Sequence, residues 1–392
     1  MSGPFTISGT ISTELNVGIE NVQVGITQTP PGVAPLSFER TTDSVGHYIF
    51  PAVPNGTDYA LMPMKNAEPL NGVTTYDLVL ISQHILDINT LNSPYKIIAA
   101  DANKSNSVTA TDILELRKMV LGIYENGLPN APSWRFVNES FVFPNPNNPF
   151  QTPFPETHTE DSLTTNQVND FVGIKIGDVN NSASSNLNGS AEDRTTGTWW
   201  METTDREVQP GETINVTFRA TEAVAGYQFT LDYPGLAVIN IKPGSMMQAD
   251  NFAVFAAESA FTTSFNPTKP ADKPEFTVQF RAHETGRLSQ ILHVSGRITA
   301  AQAYSIENIV PPMDVQLRFG SNSAASDAFE LLPCTPNPFA EQTKIGFRLP
   351  MATTATLRIF DMDGRTVYAH TADYSAGLHS LAMHKSDLKG SG

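Results

Sequence analysis

The chain of 392 residues contains a single cysteine, Cys334. One thiol excludes an intramolecular disulfide framework, so stability in an oxidising exterior has to come from apolar cores and bound metal. Positive charge is also scarce. Lys and Arg total 24 against 40 Asp and Glu, a formal net charge of -16. Nucleic acid demands basic patches and is excluded as a partner, whereas an acidic chain suits a divalent-cation-rich exterior. No run of about eighteen apolar residues occurs, so no membrane span is expected. The start, Met1-Ser2-Gly3-Pro4-Phe5, lacks the basic and apolar regions of a secretory signal, and the chain stops at Lys389-Gly390-Ser391-Gly392. The expectation is a fragment, or a reading frame cut at both ends.

Catalytic motifs are missing as well. The eight histidines (His47, His84, His158, His283, His293, His370, His379, His384) are scattered, and none forms an HExxH pair. There is no Gly-x-Ser-x-Gly elbow, P-loop or dinucleotide fingerprint. Asp361-x-Asp363-Gly364 reads as a turn rather than an acid/base dyad. Glycosidase carboxylates pair in space and leave no local signature, but every region below has a noncatalytic reading. The chain is expected not to be an enzyme.

What the sequence does contain is an oxygen-rich segment, Asp101 to Asp112, with the spacing of an EF-hand-type calcium loop. Asp101, Asn103, Ser105, Thr109 and Asp112 fall at loop positions 1, 3, 5, 9 and 12, and Ser107 supplies the position-7 carbonyl. Calcium takes six to eight hard oxygen ligands from a tightly turning backbone, which small oxygen-bearing residues at alternate positions provide. Position 6 is Asn106 in place of the usual Gly, and Asn tolerates the left-handed conformation. The alternative reading of the same residues is a Ser/Thr/Asn-rich helix N-terminus capped by Asp112. An internal repeat favours the metal. Asp112 to Ile123 aligns without gaps onto Asp77 to Ile88, with apolar residues at Leu78, Ile81, Ile85 and at Ile113, Leu116, Val120 on one helix face.

Two such loop-helix units resemble a type I dockerin, the calcium-dependent docking module of cellulosomes. Asn71-Gly-Val-Thr-Thr-Tyr-Asp-Leu-Val-Leu-Ile and Ile-Ala-Ala-Asp-Ala-Asn look more closely like the dockerin-like module of large secreted Bacteroidetes proteins. The resemblance implies Ca2+ as cofactor and a cohesin-like or other protein partner. It also exposes a gap, because Asn66, Glu68 and Leu70 make a poor opening for the first loop. Gly177-Asp178-Val179-Asn180-Asn181-Ser182, about a hundred residues downstream, has the form of that missing opening. A split second site is therefore expected, with Asp178, Asn180 and Ser182 completing the loop that ends at Asp77. The alternative is a Gly-Asp turn leading into a polar linker.

The remaining regions read as sheet. Residues 1–65 alternate in short runs separated by Gly, Pro and Asn turns, and Asp43-Ser-Val-Gly-His-Tyr-Ile-Phe resembles the carboxypeptidase-regulatory or Cna-B-like domain. His47 is expected to be a strand residue. Residues 66–182 hold the calcium module with a Pro/Asn-rich insert, Trp134 to Pro155, expected to wrap the helices with aromatic anchors. Phe171 to Ile176 is expected to return the chain to that module. A linker follows at 183–203, with Trp199 and Trp200 packing on the next domain. Residues 204–320 alternate strongly (Ile214, Val216, Phe218; Tyr227, Phe229, Leu231, Tyr233), each strand with one buried face. Val208 to Thr213 and Ala225 to Tyr233 resemble a cohesin, the partner fold of dockerins, which binds through one sheet face. A carbohydrate-binding sandwich has the same strand pattern.

After a linker at 321–328, residues 329–392 resemble the C-terminal sorting domain of the type IX secretion system. The residues that carry this are Leu332 to Phe339, Thr343 to Pro350, Ala355 to Arg365 and Gly377-Leu378-His379, with the family's last strands missing. Asp363-Gly364 marks a hairpin. The expectation is a multidomain, mainly β chain in which antiparallel β-sandwiches flank one small α-helical, EF-hand-like module. Functionally, it implies a noncatalytic scaffold or docking portion of a secreted or outer-cell-surface protein. Polysaccharide and the type IX secretion machinery are the further partners implied. A passive stalk, or glycan binding by the second sandwich, is the alternative.

Overall fold

The computed structural model describes residues 4–186, 197–267, 273–306, 311–321, 329–332, 334, 339, 342–349, 352–361, 364–374 and 377–388. The chain is mainly β, and it divides into two compact units. One holds residues 1–203 and 207–318, and the other holds 204–206 and 319–392.

The first sandwich opens with β1 (Phe5–Ser12), β2 (Gln23–Thr29), β3 (Leu36–Thr41), β4 (His47–Val53) and β5 (Asp58–Met64). The Asp43-x-x-Gly46 turn forms as its residues require. Asp43 Oδ1 accepts the Val45 and His47 N–H groups at 3.0 and 2.9 Å, and Gly46 takes φ 82°. His47 then starts β4 as an exposed strand residue, and Tyr48 turns inward.

Completion of this sandwich comes from far along the chain. Four strands, β6 (Trp134–Asn138), β7 (His158–Glu160), β8 (Gln167–Val168) and β9 (Phe171–Lys175), follow the helices. They enter sheets ordered β4-β1-β9-β6, with β8 on β1, and β3-β2-β5-β7. Strand β1 runs parallel to β8 and β9, so the sheet is mixed and not purely antiparallel. The insert and the returning strand β9 therefore divide their aromatics between two cores. Trp134, Phe136 and Phe171 join Ile7, Ile11, Val24, Ile26 and Phe50 in the sandwich. Phe141, Phe143, Phe150 and Phe154 pack on the helices, as expected of anchors.

Those helices are α1 (Thr75–Ile85), α2 (Pro94–Ala100) and α3 (Ala110–Val120). Leu78, Ile81, Leu116 and Val120 form their shared core with Ile97, Ile98, Ile174 and Ile176, while Ile85 stays 38% exposed at its helix end. The repeat extends to the helix stops. Gly122 (φ 80°) and Asp87 (φ 55°) occupy equivalent left-handed positions. Each is followed by a 6→1 bond, Ile123 N–H to Lys118 O and Ile88 N–H to Gln83 O, both 2.9 Å.

The second sandwich contains β10 (Thr198–Asp205), β11 (Glu207–Val208), β12 (Thr213–Ala220), β13 (Gly226–Asp232), β14 (Leu236–Pro243) and β15 (Phe252–Phe255). It continues with β16 (Ala260–Phe265), β17 (Glu275–Ala282), β18 (Gly286–Arg287), a short α4 (Leu288–Ile291), β19 (His293–Ser295), β20 (Gln302–Tyr304) and β21 (Met313–Ser321). The main sheet path is β14-β17-β12-β10-β21-β20-β13-β16-β15. Aromatics from strands not adjacent in that path meet inside it: Trp199 stacks on Tyr227 at 4.9 Å, and Phe261 meets Phe276 edge-on at 6.1 Å. Trp199 is thus core, and Arg318 covers the Trp200 ring at 4.8 Å.

In the second unit, β22 (Glu330–Leu331), β23 (Gln342–Leu349) and β26 (Gly377–His384) form one sheet, and β24 (Thr353–Phe360) pairs with β25 (Thr366–Tyr374). Ile345, Phe347, Leu349 and Met383 are buried apolar residues of this unit. Gly364 has φ 81° at the expected hairpin, whereas Asp363 lies outside the described residues.

Because β9 belongs to the first sandwich, Phe171→Ala should lower that region's stability by about 3–5 kcal/mol, the usual cost of emptying a buried Phe site. Denaturant unfolding of the full chain, read by hydrogen exchange in β1 and β4, is the check.

Candidate metal loops and the covered sheet face

The second loop folds around two buried carboxylates. Asp101 ends α2, and its Oδ1 accepts the Ser105 N–H at 2.8 Å while Oδ2 accepts the Asn106 N–H at 2.9 Å. Asn103 Oδ1 also takes the Ser105 N–H, at 2.9 Å. Ser105 Oγ donates to the Ser107 carbonyl at 3.3 Å. At the far end Thr109 is the N-cap of α3. Asp112 closes the capping box, accepting from Thr109 N and Oγ1 at 2.8 and 3.1 Å and from Asn103 N at 3.2 Å. Lys104 (φ 58°) and Asn106 (φ 62°) supply the left-handed turns. The cap expected as the alternative forms, and it holds Asp112 against the loop.

The distant segment 178–183 repeats most of this pattern, the closing aspartate excepted: Asp112 accepts from Asn103 N–H, Asp77 from Val179 N–H. Asp178 Oδ1 accepts the Ser182 N–H at 3.1 Å, and Oδ2 accepts the Ala183 N–H at 2.8 Å. Asn180 Oδ1 takes the Ser182 N–H at 2.9 Å. Ser182 Oγ then donates to the Gly72 carbonyl at 3.0 Å, as Ser105 does to Ser107. Thr74 caps α1, with Asp77 Oδ2 accepting its N and Oγ1 at 2.9 and 3.2 Å. Asp77 Oδ1 accepts the Val179 N–H at 2.9 Å, which brings that carboxylate to the residue beside Asp178. Gly177 N–H donates to Ala99 O at 2.8 Å, tying the two loop openings together. Gly72 and Thr74 were not among the candidates, although their alignment with Ser107 and Thr109 is readable in the repeat. Asn66 takes no part, since its Oδ1 accepts from Ser133.

Electrostatics mark both loops as short of positive charge. Burial, and next the neighbouring charge of Asp178, push the Asp77 carboxyl far above its ordinary range. Burial also raises Asp178 against three backbone N–H bonds and Lys175, and it raises Asp101 against the bonds from Ser105 and Asn106. Lys175, buried, falls to about 8 although Asp178 and Asp77 oppose the shift. Among the described residues no three His, Cys, Asp or Glu side chains converge. Each loop offers two carboxylates with neutral Asn, Ser, Thr and carbonyl oxygens. Such an all-oxygen donor set fits calcium, whose charge two carboxylates balance.

The other side of the module is covered. Register places Gln228, Thr230 and Asp232 of β13 beside Ser264, Thr262 and Ala260 of β16, on the face opposite Tyr227, Phe229 and Leu231. One buried face per strand was expected, but both strands are buried on both faces, because α1 and α3 lie on the second. Thr75 N–H, at the first turn of α1, donates to Gln228 Oε1 at 2.6 Å, and Thr75 Oγ1 lies 2.7 Å from Ser264 Oγ. Thr262 and Thr299 donate to the Leu121 and Val120 carbonyls at 2.7 and 2.6 Å. The sheet thereby satisfies backbone groups that helix ends leave open. Arg117 reaches Asp250 at 2.9 Å and Asn266 at 2.8 Å. Tyr76 stacks on Tyr304 at 5.4 Å. Close approach requires Gly226, where an added Cβ would meet Val79, Phe265 O and Thr75 at 3.0–3.2 Å.

Residues 71–121 match the family of the dockerin type I domain, whose members bind calcium and cohesins. No curated protein matches the sequence. Among solved structures, the chain is similar to the sixth cohesin of scaffoldin B from Acetivibrio cellulolyticus, solved with a Cel5 dockerin. That match has 13% identity and TM-score 0.24, covering 32% of this chain and 100% of that one. A non-cellulosomal cohesin from the archaeon Archaeoglobus fulgidus gives 18% identity and TM-score 0.24 over 32% and 93%. A cohesin from Clostridium acetobutylicum, CaCohA2, gives 12% and 0.22 over 31% and 91%.

Thr262→Val keeps the side-chain shape but leaves the Leu121 carbonyl without its donor. It should destabilise the chain by about 1–3 kcal/mol, the penalty for a buried unsatisfied polar group, as measured by chemical denaturation.

Proposed function

We propose that this chain is a noncatalytic, calcium-ordered docking scaffold from a secreted or cell-surface protein, with its helical module docking a cohesin-like sandwich. The observation that carries it is that the continuous loop and the split one share the turn bonds to Asp101 and Asp178 and the capping boxes of Asp112 and Asp77. Asp101, Asn103, Ser105, the Ser107 carbonyl, Thr109 and Asp112 would hold one Ca2+. Asp178, Asn180, Ser182, the Gly72 carbonyl, Thr74 and Asp77 would hold the second. When bound, the ions neutralise crowded oxygens and order the starts of α1 and α3. The capping boxes keep Asp77 and Asp112 aimed at their loops. The backbone N–H bonds do the same for Asp178 and Asp101.

The domain order of this reading is a Cna-B-like sandwich over 1–65 completed by β6 to β9, the calcium module over the rest of 66–182, a cohesin-like sandwich over 204–320 with β10 added before it, and a type IX sorting domain over 329–392. Export would go through that last region, and a role in polysaccharide-degrading assemblies follows from the docking class. The alternating strands β23 to β26 and the Gly364 turn support the sorting-domain assignment.

Thermal melts of the full chain should separate in calcium and in chelator. At free calcium one hundred times Kd, each site adds about 2.7 kcal/mol. Calorimetric titration should count two ions, falling to one in Asp178→Asn and one in Asp101→Asn. Coincident melts would sink the calcium reading. The pH dependence has a definite sign. In metal-free protein the raised Asp77, Asp178 and Asp101 carboxyls hold protons that the unfolded chain releases. Stability therefore falls as pH climbs above about 4, the unperturbed carboxylate value. The calcium-induced rise in melting temperature should accordingly widen from pH 5 to pH 8.

A further inference from the structure

The docking reading leaves its partner open, and the covered face of the second sandwich names one. Outward positions of an exposed strand normally carry charged or long polar side chains. Here Gln228, Thr230, Thr262 and Ser264 are uncharged and buried. Each is accounted for by hydrogen bonding under the helical module. Gln228 and Ser264 meet Thr75, and Thr262 meets Leu121. Thr230 exchanges bonds with Thr299, which in turn reaches Val120. At the edge Arg117, with 12% of its side chain exposed, bonds to Asp250 and Asn266, and Asn266 also reaches Ser82 at 2.8 Å. Apolar contact fills the middle, where Val79 packs with Ala225 and Tyr304. Gly122 completes the fit, since a Cβ there would lie 2.6 Å from Ile298.

We infer that the outer face of β13 and β16 is the receptor for the chain's own helical module, so the docking partner is held in cis. The inference rests on the docking reading and supplies its partner. Polar groups buried on both sides of a contact specify one register, because any other partner has to satisfy the same donors and acceptors. While the contact is closed, α1 and α3 are withheld from a separate cohesin-like protein. The same sheet face is withheld from glycan.

Thr75→Cys and Ser264→Cys in a Cys334→Ser background place two thiols where hydroxyls now touch. Under mild oxidation with calcium present, near-complete disulfide formation within monomers is expected, read by non-reducing gel and peptide mass. A disulfide joining two chains would make the partner a second copy and overturn the assignment in cis. Absence of the bond, with two calcium ions still bound in titration, would also overturn it while leaving the calcium scaffold intact. The bond forming in a chain that binds no calcium would retain the cis contact and remove the calcium reading. A second test avoids new thiols. Arg117→Asp and Asp250→Arg should each lower the melting temperature, and the double exchange should recover at least half of the loss. A double variant no better than the singles would count against the contact.

Discussion

Four buried aspartates in two loops are the constraint on which the helical module depends. Asp77 and Asp112 each occupy the third position of a helix, and Asp178 and Asp101 each begin a turn whose backbone N–H groups point back at the carboxylate. Helix N-termini favour negative charge, but two carboxylates taken out of water in one loop repel each other and lose hydration. The elevated proton affinity of Asp77 and Asp178 is the measure of that conflict. On the proposed calcium reading, a divalent ion would offset that repulsion.

The split loop also explains why the chain can leave the module and return. Its closing half, Gly72 to Asp77, runs into the first turn of α1, and its opening half, Asp178 to Ala183, follows β9. Everything between is an excursion whose ends meet at the loop. Cross-linking the ends of a long loop removes conformational entropy from the unfolded chain, by a metal as by a disulfide. In a chain with one cysteine, the ion of the proposed reading would be such a staple. The excursion is structurally productive, for it carries α2, the second loop and α3 and then delivers β6 to β9 into the first sandwich. Ile174 and Ile176 sit under the helices while Phe171 faces the sandwich core, so one short stretch joins two cores.

Much of this was legible in the sequence, for definite reasons. The loop-helix repeat shows in residue identities because cap, ligand and core positions are all constrained, and even the Asp87 and Gly122 stops align. The halves of the split loop could be matched because Gly-Asp-Val-Asn is an opening without a sequel and Asp77 is an ending without a start. Alternation placed the inner faces of β12 and β13 correctly. Sheet partners were beyond reach, since β6, β8 and β9 are short and their pairing with β1 is non-local. Alternation also predicts which side of a strand is apolar but not whether the polar side is wet. Gln228, Thr230, Thr262 and Ser264 read as ordinary solvent positions. Only their want of charge hinted that something covers them.

That covered face changes what the two ends of the helices need. An α-helix leaves N–H groups open at its start and carbonyls open at its end. In α1 the start is served by Thr74 and Asp77 from within and by Gln228 from the sheet. In α3 the end is served by Gly122's turn from within and by Thr262 and Thr299 from the sheet. The loop and the sheet therefore act on the same first turn of α1, one residue apart at Thr74 and Thr75. Anything that loosens the loop frees Thr75 to drift from Gln228 and Ser264, and anything that holds Thr75 on the sheet keeps Asp77 aimed at Asp178. On the proposed calcium reading, ion binding and sheet docking would then favour each other to the same degree, by thermodynamic reciprocity.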